Sequence, residues 1–426
     1  MSKTISQQNS KKFSKAMLKN LISDLEQYAS IGIFGFGIEG KSFYHFAQKY
    51  LLDTELVIID KNHPSCDENY LEKLDEVALI IKSPGISLYN LGIDYSAYNF
   101  SSTTELLLKH FKSQIIGVTG TKGKSTLVTL IDSLLKNAGK KSLLCGNIGI
   151  PAFDIVDLVD AETTIVMELS SHQLFGGKYS PHIAILTNLF QEHLDYYRDV
   201  NAYYRAKFTI FLHQNEDDIF IYNLPQKLER GYNVYENELR FPITFDLQNG
   251  FIHKSTLQIL EKLKEILRID DAIYLQTIQR FKTLPHRLEF VKKINGVSYI
   301  NDSIATIPQA TIEAVKILKN VDTLIIGGND RGVQYDVLID FLQKSDVRNI
   351  ILFSDTGKKI YESLRKKEKQ KNIFLQNNLQ ESVKKAYNIA RSIVLFSPAA
   401  SSFNQYKNFM ERGDAFKAFV EQLKSL

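Results

Sequence analysis

The sequence has little that would support a disulfide framework, a membrane anchor or a polyanion-binding surface. Of its 426 residues, only Cys66 and Cys145 are cysteines, which suits a reducing compartment. No run of about 18 apolar residues occurs, and the N-terminal segment lacks the apolar stretch of an export signal. The formal net charge of +4 is weak support for a polyanionic partner. These absences lead us to expect a cytoplasmic protein that binds neither membrane nor nucleic acid.

The composition that is present is that of a folded, multi-domain protein. Hydrophobic residues make up 44% and charged residues 23% of the chain, an ordinary globular balance. At roughly 100–200 residues per domain, a chain of this length contains two to four domains. Apolar residues recur at helical spacing between Phe13 and Leu25, which predicts a helix packed on the first domain.

From Ile31 onward, short apolar runs alternate with longer amphipathic stretches. This alternation is typical of βαβ units and predicts an α/β protein with mostly parallel sheets. We interpret as buried strands the runs IGIFGFG, ELVIID, VALIIKSPG, QIIGVTG, KSLLCG, TTIVMELS, HIAILTN, DIFIYN, VSYINDS, TLIIGG, NIILF and SIVLFSP. Breaks near residues 111–114 and near Leu284 predict three α/β domains over residues 1–112, 113–284 and 285–426.

The strongest local motif is GVTGTKGKST at residues 117–126, which joins an apolar strand to a predicted helix. Glycines 120 and 123 let backbone N–H groups close around phosphate oxygens, and a helix N-terminus favours anions. Lys124 would reach the β- and γ-phosphates of a nucleotide, and Ser125 would offer a hydroxyl to Mg²⁺. The first glycine stands one position further out than in the usual phosphate-binding pattern, but the core TGTKGKST still predicts a phosphate site.

A second glycine-rich loop, GFGIEG at residues 35–40, follows the first strand. The next strand ends at Asp60, about twenty residues later, which fits a dinucleotide-binding fingerprint with its acidic residue. On the residues alone, binding of NAD, binding of another nucleotide and simple tight packing are comparable interpretations.

Eight ordered motifs resemble those of the Mur ligases of peptidoglycan synthesis. They are TGTKGKST with GNIG, ELSSHQL, TNLFQEHLDYY, YYRAKFTIF, LPHRLEFV, NDSIAT, LIIGGNDRG and LFSPAASSFNQYKNFMERGDAF. The resemblance runs from about Ile31 to Phe419 and is closest to the glutamate-adding MurD type. It implies three domains: a Rossmann-like domain for the UDP part, a central P-loop ATPase-type parallel sheet for ATP, and a Rossmann-like C-terminal domain for glutamate. The GFGIEG loop then becomes part of a uridine-diphosphate site.

The resemblance implies an ATP-dependent amide ligase that adds glutamate to UDP-N-acetylmuramoyl-L-alanine through an acyl phosphate. ATP and Mg²⁺ are the expected requirements, with two metal sites and a lysine that carries a carbamate. The expected partners are the three substrates, UDP-N-acetylmuramoyl-L-alanine, glutamate and ATP, and the protein is expected to be a bacterial, cytoplasmic monomer.

The resemblance also assigns residues to sites. The catalytic residues would be Lys124, Glu168, His193 and Lys207. The metal ligands would be Ser125, Glu168, His193 and, if carbamylated, Lys207. The ATP site would comprise Gly120, Thr121, Lys122, Gly123, Lys124, Ser125, Thr126, Arg287 and Asp302. The UDP-sugar site would comprise Gly37, Ile38, Glu39, Asp60, Ser83, Asn147, Ser170 and Gln173. The glutamate site would comprise Thr306, Arg331, Ser402 and Tyr406.

Two positions depart from the family pattern near the expected glutamate site. Ile304 stands where the family has a lysine in NDSKAT, and Arg331 replaces a second lysine. Such cations would anchor the carboxylates of glutamate, so their change bears on its handedness. D-glutamate is slightly favoured as the family default, and L-glutamate is the alternative. There are two weaker alternatives. One is a folylpolyglutamate synthetase-like ligase, which would not need the GFGIEG domain. The other is a non-catalytic nucleotide-binding regulator, which would not need Lys124.

Overall fold

The computed structural model describes residues 16–190, 196–241, 252–282, 284–330, 332–367, 370–403 and 405–424. The described strands form one four-stranded and two six-stranded sheets. Neighbouring strands are parallel in every pairing except that of the two strands at one edge of the third sheet. The predicted α/β fold with mostly parallel sheets is therefore confirmed.

The first sheet has the strand order β2-β1-β3-β4. Its strands are β1 (Ser30–Phe34), β2 (Glu55–Ile59), β3 (Leu79–Lys82) and β4 (Phe100–Ser101). The accompanying helices are α1 (residues 16–26), α2 (Ile38–Tyr50), α3 (Leu88–Leu91) and α4 (Thr103–Phe111). Three short 3₁₀ segments span Tyr70–Glu76, Tyr95–Ala97 and Lys112–Gln114. Leu21 and Leu25 of α1 are fully buried, so this helix is part of the core.

The second sheet has the order β10-β9-β8-β5-β7-β6. Its strands are β5 (Ile115–Thr119), β6 (Ser142–Gly146), β7 (Thr164–Glu168), β8 (Ile183–Leu186), β9 (Ile219–Tyr222) and β10 (Tyr232–Asn233). Its helices are α5 (Lys124–Asn137), α6 (Ser171–Leu174), α7 (Val200–Leu212), α8 (Lys254–Leu267) and α9 (Asp271–Arg280), with a 3₁₀ segment at Ala152–Leu158. The chain passes to β6 and β7 on one side of β5 and then to β8 and β9 on the other. This reversal places a crevice at the carboxyl end of β5, where ligands bind in open α/β sheets.

The third sheet has the order β11-β12-β16-β13-β14-β15. Its strands are β11 (Glu289–Ile294), β12 (Val297–Asn301), β13 (Val321–Gly327), β14 (Asn349–Phe353), β15 (Asn372–Gln376) and β16 (Ile393–Phe396). Its helices are α10 (Pro308–Leu318), α11 (Asp336–Lys344), α12 (Ser354–Lys367), α13 (Leu379–Ile389) and α14 (Phe409–Glu421). β11 runs antiparallel to β12 at the sheet edge.

The chain divides into two compact units. One contains the described residues of Met1–Pro242 and Lys254–Ile278, and with them the first and second sheets. The other contains those of Ile243–His253 and Gln279–Leu426, and with them the third sheet. No helix in the described ranges is both long enough and apolar enough to cross a membrane.

Candidate active site

Two glycines shape the loop between β5 and α5, which we call the phosphate loop (Gly120–Gly123). Gly120 has a φ of +144°, and a Cβ atom there would lie 1.9 Å from the hydroxyl oxygen of Thr187. Gly123 has a φ of +83° and directly precedes the 14-residue helix α5. Other residue types rarely adopt these conformations. The glycines therefore let the backbone turn tightly in front of a helix N-terminus, an arrangement that binds phosphate groups.

The phosphate loop is fixed by polar side chains just beyond β8. The Thr187 hydroxyl donates to the carbonyl oxygen of Lys122 at 2.7 Å. The Asn188 side chain accepts from the Lys122 N–H at 2.8 Å and donates to its carbonyl oxygen at 3.0 Å. The Thr121 N–H donates to the backbone oxygen of Asn188 at 3.0 Å. Neither Thr187 nor Asn188 belongs to the site predicted from the sequence, although polar residues directly after a buried strand were an available signal.

Two lysine ammonium groups converge on one backbone oxygen of this loop. Lys124 Nζ donates to the carbonyl oxygens of Gly120 and Thr121 at 2.9 and 3.1 Å. Lys207 Nζ, from α7, donates to the same Gly120 oxygen at 2.8 Å. Lys207 is only 2% exposed. Cationic side chains beside a helix N-terminus favour the binding of an anion such as phosphate.

Tyr203, which is not among the residues predicted from the sequence, packs against this lysine pair. The Lys207 ammonium lies 4.9 Å from the centroid of the fully buried Tyr203 ring. The Tyr203 hydroxyl lies 3.1 Å from the hydroxyl of Thr121, which is itself 4% exposed. Tyr203 stands four residues before Lys207 on the same face of α7, so helical spacing was the available signal.

Glu168, the last residue of β7, provides an acidic group at the carboxyl end of the second sheet, the end where the phosphate loop follows β5. It is 1% exposed, and its Oε1 accepts from the Asn147 amide at 2.9 Å. Its Oε2 is buried without a hydrogen-bond partner among the described residues. An orphaned carboxylate oxygen is costly, and it is a ligand that a hard divalent cation prefers. With the hydroxyl of the half-buried Ser125, this oxygen fits Mg²⁺.

The remaining predicted residues of this region are partly placed. Thr126 is buried in the first turn of α5, and Lys122 is half-buried. His193 lies outside the described residues. Within the described ranges, no group of three or more His, Cys, Asp or Glu side chains is arranged to hold a metal.

The first glycine loop (Gly35–Gly40) is bound by different chemistry. The two carboxylate oxygens of Asp60 accept from the N–H groups of Phe36 at 2.6 Å and Asn62 at 2.8 Å. The Ser83 hydroxyl donates to the carbonyl oxygen of Gly35 at 2.6 Å. Asp60 and Ser83 therefore shape this loop, and their predicted contact with a UDP-sugar stays a prediction. Gly37 is the N-cap of α2 and Ile38 its first residue; both are exposed, Ile38 to 77%.

Glu39, in the first turn of α2, links the first and second sheets. Its carboxylate accepts from the Thr103 hydroxyl at 2.6 Å and from the Gln173 amide at 2.7 Å. Burial raises the pKa of Glu39, against these two hydrogen bonds and the charge of Lys82. Gln173 also forms a capping box with Ser170 at the start of α6. The predicted UDP-sugar residues Glu39, Ser170 and Gln173 thus lie in one hydrogen-bonded group.

In the second unit, the segment before β11 has a strained backbone around Arg287. His286 and Leu288 both have positive φ, at +65° and +46°, which costs roughly 1–2 kcal/mol per non-glycine residue. The Asp302 carboxylate holds this segment by accepting from the Leu288 N–H at 3.2 Å and from the Ser397 hydroxyl at 2.8 Å. Strain of this kind is concentrated at functional sites. The structure therefore brings Asp302 to the segment that contains Arg287. Contact of either residue with ATP stays a prediction.

The loops that follow β12 and β16 contain three predicted glutamate-site residues. Thr306 and Tyr406 are half-buried and Ser402 is buried, whereas Arg331 lies outside the described residues. The fully buried Arg412 of α14 joins these loops, donating to the Ser303 hydroxyl at 3.1 Å and to the Ser401 carbonyl oxygen at 3.0 Å. Burial lowers the pKa of Arg412 to about 10. Arg412 is not among the residues predicted from the sequence, where its short ERG motif is a weak signal.

Comparison with known proteins assigns the chain to a family. The family model of the Mur ligase middle domain matches residues 118–282. The UDP-N-acetylmuramoylalanine–D-glutamate ligase of Clostridium botulinum is 30% identical over 458 aligned positions, which cover 94% of this chain and 98% of that relative. The chain belongs to the Mur ligase family. This membership confirms the sequence prediction of a MurD-type, ATP-dependent ligase.

Solved structures agree with the Mur ligase fold. The UDP-N-acetylmuramate–alanine ligase MurC of Thermotoga maritima superimposes with a TM-score of 0.56 at 18% identity, covering 93% of this chain and all of that one. The bifunctional folylpolyglutamate synthase/dihydrofolate synthase of Yersinia pestis, solved with AMPPNP and a manganese ion, gives a TM-score of 0.53 at 14% identity. It covers 75% of this chain and 93% of that one. At these identities the likeness concerns the fold alone.

Proposed function

We propose that this Mur ligase joins glutamate to UDP-N-acetylmuramoyl-L-alanine with hydrolysis of ATP, in the cytoplasmic synthesis of peptidoglycan precursors. The observation that carries the proposal is the glycine loop at the start of α5, where the Lys124 ammonium is bonded to the Gly120 and Thr121 carbonyl oxygens. The name of the full-length relatives supports glutamate as the added amino acid and D-glutamate as its form.

The reaction needs two bond exchanges. A carboxylate oxygen of the alanine residue attacks the γ-phosphorus of ATP, the bond from phosphorus to the bridging oxygen breaks, and ADP leaves. The glutamate nitrogen then attacks the acyl carbon and gives up a proton, and inorganic phosphate leaves with the electron pair of its bond to carbon. Lys124 and the N-terminus of α5 would hold the phosphates and offset the negative charge that develops during transfer.

Glu168 and Ser125 would hold one Mg²⁺, because the Glu168 Oε2 atom is buried without a described partner. His193 and Lys207 are the proposed ligands of a second ion. When bound, Mg²⁺ neutralises charge on the transferring phosphoryl group. Carbamylation of Lys207 would turn a cation that binds the Gly120 oxygen into an anionic ligand. Equilibration with ¹³C-labelled bicarbonate would reveal a carbamate carbon by NMR, and Lys207→Arg would abolish that signal.

Residues 1–112, 113–284 and 285–426 are proposed as the UDP-binding, ATP-binding and glutamate-binding domains. The substrates are the expected partners, and a monomer suffices for the reaction.

The function is tested by phosphate release from ATP. Release should require UDP-N-acetylmuramoyl-L-alanine and glutamate together, and release without either substrate would contradict the proposal. Glu168→Gln removes the proposed metal charge and should lower kcat by about 100-fold or more. Glu162→Gln, which changes an exposed carboxylate shortly before β7, should leave kcat unchanged.

L-glutamate is a second candidate because the segment expected to meet the amino acid lacks a cation at position 304. Ile304 is half-buried, between the buried Ser303 and Ala305. A neutral side chain there removes one anchor for a carboxylate, and placement of the two carboxylates distinguishes the enantiomers. Rates measured with D- and L-glutamate at matched concentrations decide between them.

A further inference from the structure

The segment Ser83–Ile86, which we call the Ser83 loop, is bound to the first glycine loop. The Ser83 hydroxyl donates to the Gly35 carbonyl oxygen at 2.6 Å, and its N–H donates to the Phe34 carbonyl oxygen at 2.8 Å. A Cβ atom on Gly35 would lie 2.9 Å from that of Ser83, so the two loops are closely packed. Movement of the Ser83 loop would therefore displace the proposed UDP-binding loop.

A buried lysine holds the Ser83 loop from inside the first sheet. Lys82 is 5% exposed, and its ammonium donates to the carbonyl oxygens of Ser83 and Ile86, both at 3.1 Å. It also lies 3.4 Å from the hydroxyl of Tyr196. A buried ammonium group that lost these acceptors would be strongly destabilising. The loop backbone and the Lys82 charge therefore depend on each other.

A tyrosine between β8 and α7 also holds the Ser83 loop. The Tyr196 hydroxyl lies 3.0 Å from the Pro84 carbonyl oxygen and 2.7 Å from that of Ile86. The backbone oxygen of Tyr196 accepts from the Ser87 hydroxyl at 3.0 Å. With a single proton, the phenol donates best to the nearer Ile86 oxygen, while its own oxygen accepts from Lys82. Tyr196 thus holds the end of the loop, at Ile86 through its hydroxyl and at the adjoining Ser87 through its backbone oxygen.

The Tyr196 ring is itself held by aromatic neighbours. The His172 ring meets it edge-on, with centroids 4.2 Å apart, and the Tyr197 ring lies 4.9 Å away. His172 belongs to α6, which also carries the Gln173 amide that bonds to Glu39. Both α6 and Tyr196, which follow strands of the second sheet, therefore bond to segments that follow strands of the first sheet.

We propose that Tyr196 and Lys82 are positioning residues that set the geometry of the UDP-sugar site by clamping the Ser83 loop between the two sheets. This rests on the proposed function, in which Ser83 contacts the UDP part. Neither residue needs to touch a reacting atom. Loss of the clamp should weaken binding of the nucleotide sugar while leaving ATP binding and the maximal rate unchanged.

The test is Tyr196→Phe in the full-length protein, with Tyr274→Phe as a matched control. Tyr274 also buries its hydroxyl, but without a hydrogen-bond partner among the described residues. For Tyr196→Phe we expect KM for the UDP-sugar to rise about tenfold, the equivalent of one lost buried hydrogen bond, with kcat and KM for ATP unchanged. Tyr274→Phe should leave all three values unchanged.

Calorimetric titration of UDP-N-acetylmuramoyl-L-alanine without ATP separates the possible failures. If the wild-type chain does not bind it, both the function and this inference are wrong. If the wild type binds and Tyr196→Phe binds equally well, the function stands and the positioning role is refuted. If Tyr196→Phe lowers thermal stability, Ser87→Ala provides the second test. It removes the outer hydrogen bond to Tyr196 and, with it, the N-cap bond that the Ser87 hydroxyl accepts from the Asn90 N–H. It should raise the same KM by a smaller factor, and an unchanged KM would again refute the role.

Discussion

The first glycine loop and the phosphate loop follow the same strand–loop–helix plan but are bound by opposite chemistry. A carboxylate and a hydroxyl hold the first loop, from Asp60 and Ser83. Two ammonium groups meet at the phosphate loop, from Lys124 and Lys207. In the first glycine loop the Phe36 N–H already donates to the Asp60 carboxylate. This N–H group is therefore not available to bind an anion. Glycine spacing alone therefore does not indicate how much negative charge a loop binds. The charge of the side chains that contact the loop indicates it.

The largest effect is expected when a cation is removed from the phosphate loop. Lys124→Met removes an ammonium from the phosphate loop and should lower kcat/KM for ATP by about 1,000-fold, as expected when a group that stabilises transferring phosphates is lost. Lys140→Met changes an exposed lysine beyond the same helix and serves as the control. Steady-state kinetics measure both variants. Full ligase activity in Lys124→Met would show that this loop is not the ATP site.

The next prediction concerns the shape of the phosphate loop. Gly120→Ala combines positive φ with a Cβ atom 1.9 Å from the Thr187 hydroxyl oxygen, and it should lower the free energy of unfolding by about 3 kcal/mol. Gly139→Ala also has positive φ, at +71°, but has open space around the Cβ position, so it should cost only about 1 kcal/mol. Equal losses in chemical denaturation would mean that the contact with Thr187 is unimportant.

Asp60→Ala tests the acidic side of the comparison. It removes a carboxylate that accepts two backbone N–H bonds in the first glycine loop, and it should lower the free energy of unfolding by about 2 kcal/mol. KM for the UDP-sugar should rise, whereas KM for ATP should not. The exposed Asp53→Ala provides the control. A change confined to KM for ATP would reverse our assignment of the two loops.

The smallest expected effect is a pH dependence that comes from Lys82. Burial lowers its pKa from the ordinary 10.5 to about 8, although the Glu39 carboxylate acts in the opposite direction. Tyr196 faces the ammonium, and Glu105 and His172 line the small cavity beside it. Between pH 8 and 10.5 the unfolded chain binds more protons at this site, so the contribution of Lys82 to stability rises with pH in that window.

Comparison with Lys82→Met isolates this contribution. The difference in unfolding free energy, wild type minus variant, should be flat below pH 8 and should increase above it. Urea denaturation at several pH values measures this difference. A difference independent of pH would show that folding does not shift the pKa of Lys82.

The strands could largely be predicted from the sequence, and the errors have physical causes. All twelve apolar runs interpreted as strands are strands in the structure. The missed strands are β4 and β10, of two residues each, and β11 and β15. The sequence EFVKKI of β11 places charges where a buried strand has apolar residues, because it lies at an edge and needs only one buried face. Short length therefore hid β4 and β10, and the charged residues that an edge position permits hid β11.

At the site, residues inside a continuous motif could be predicted and those brought in by tertiary contact could not. Lys124 directly follows the phosphate loop in the sequence, so the local pattern was sufficient. Tyr196 meets the Ser83 loop across more than a hundred residues of sequence, and Arg412 reaches Ser303 in the same way. Spacing along the chain carries no information about such contacts, because they depend on how separate elements pack.

The antiparallel edge strand β11 has a consequence for behaviour at high concentration. The outer side of such a strand has backbone groups that could pair with a strand of another molecule. β11 carries Lys292 and Lys293 in succession, the first paired with Glu421 at 3.0 Å and the second exposed. Bringing two copies of this edge together would place like charges side by side. The lysines that made the strand hard to recognise therefore protect the chain against intermolecular sheet growth and aggregation.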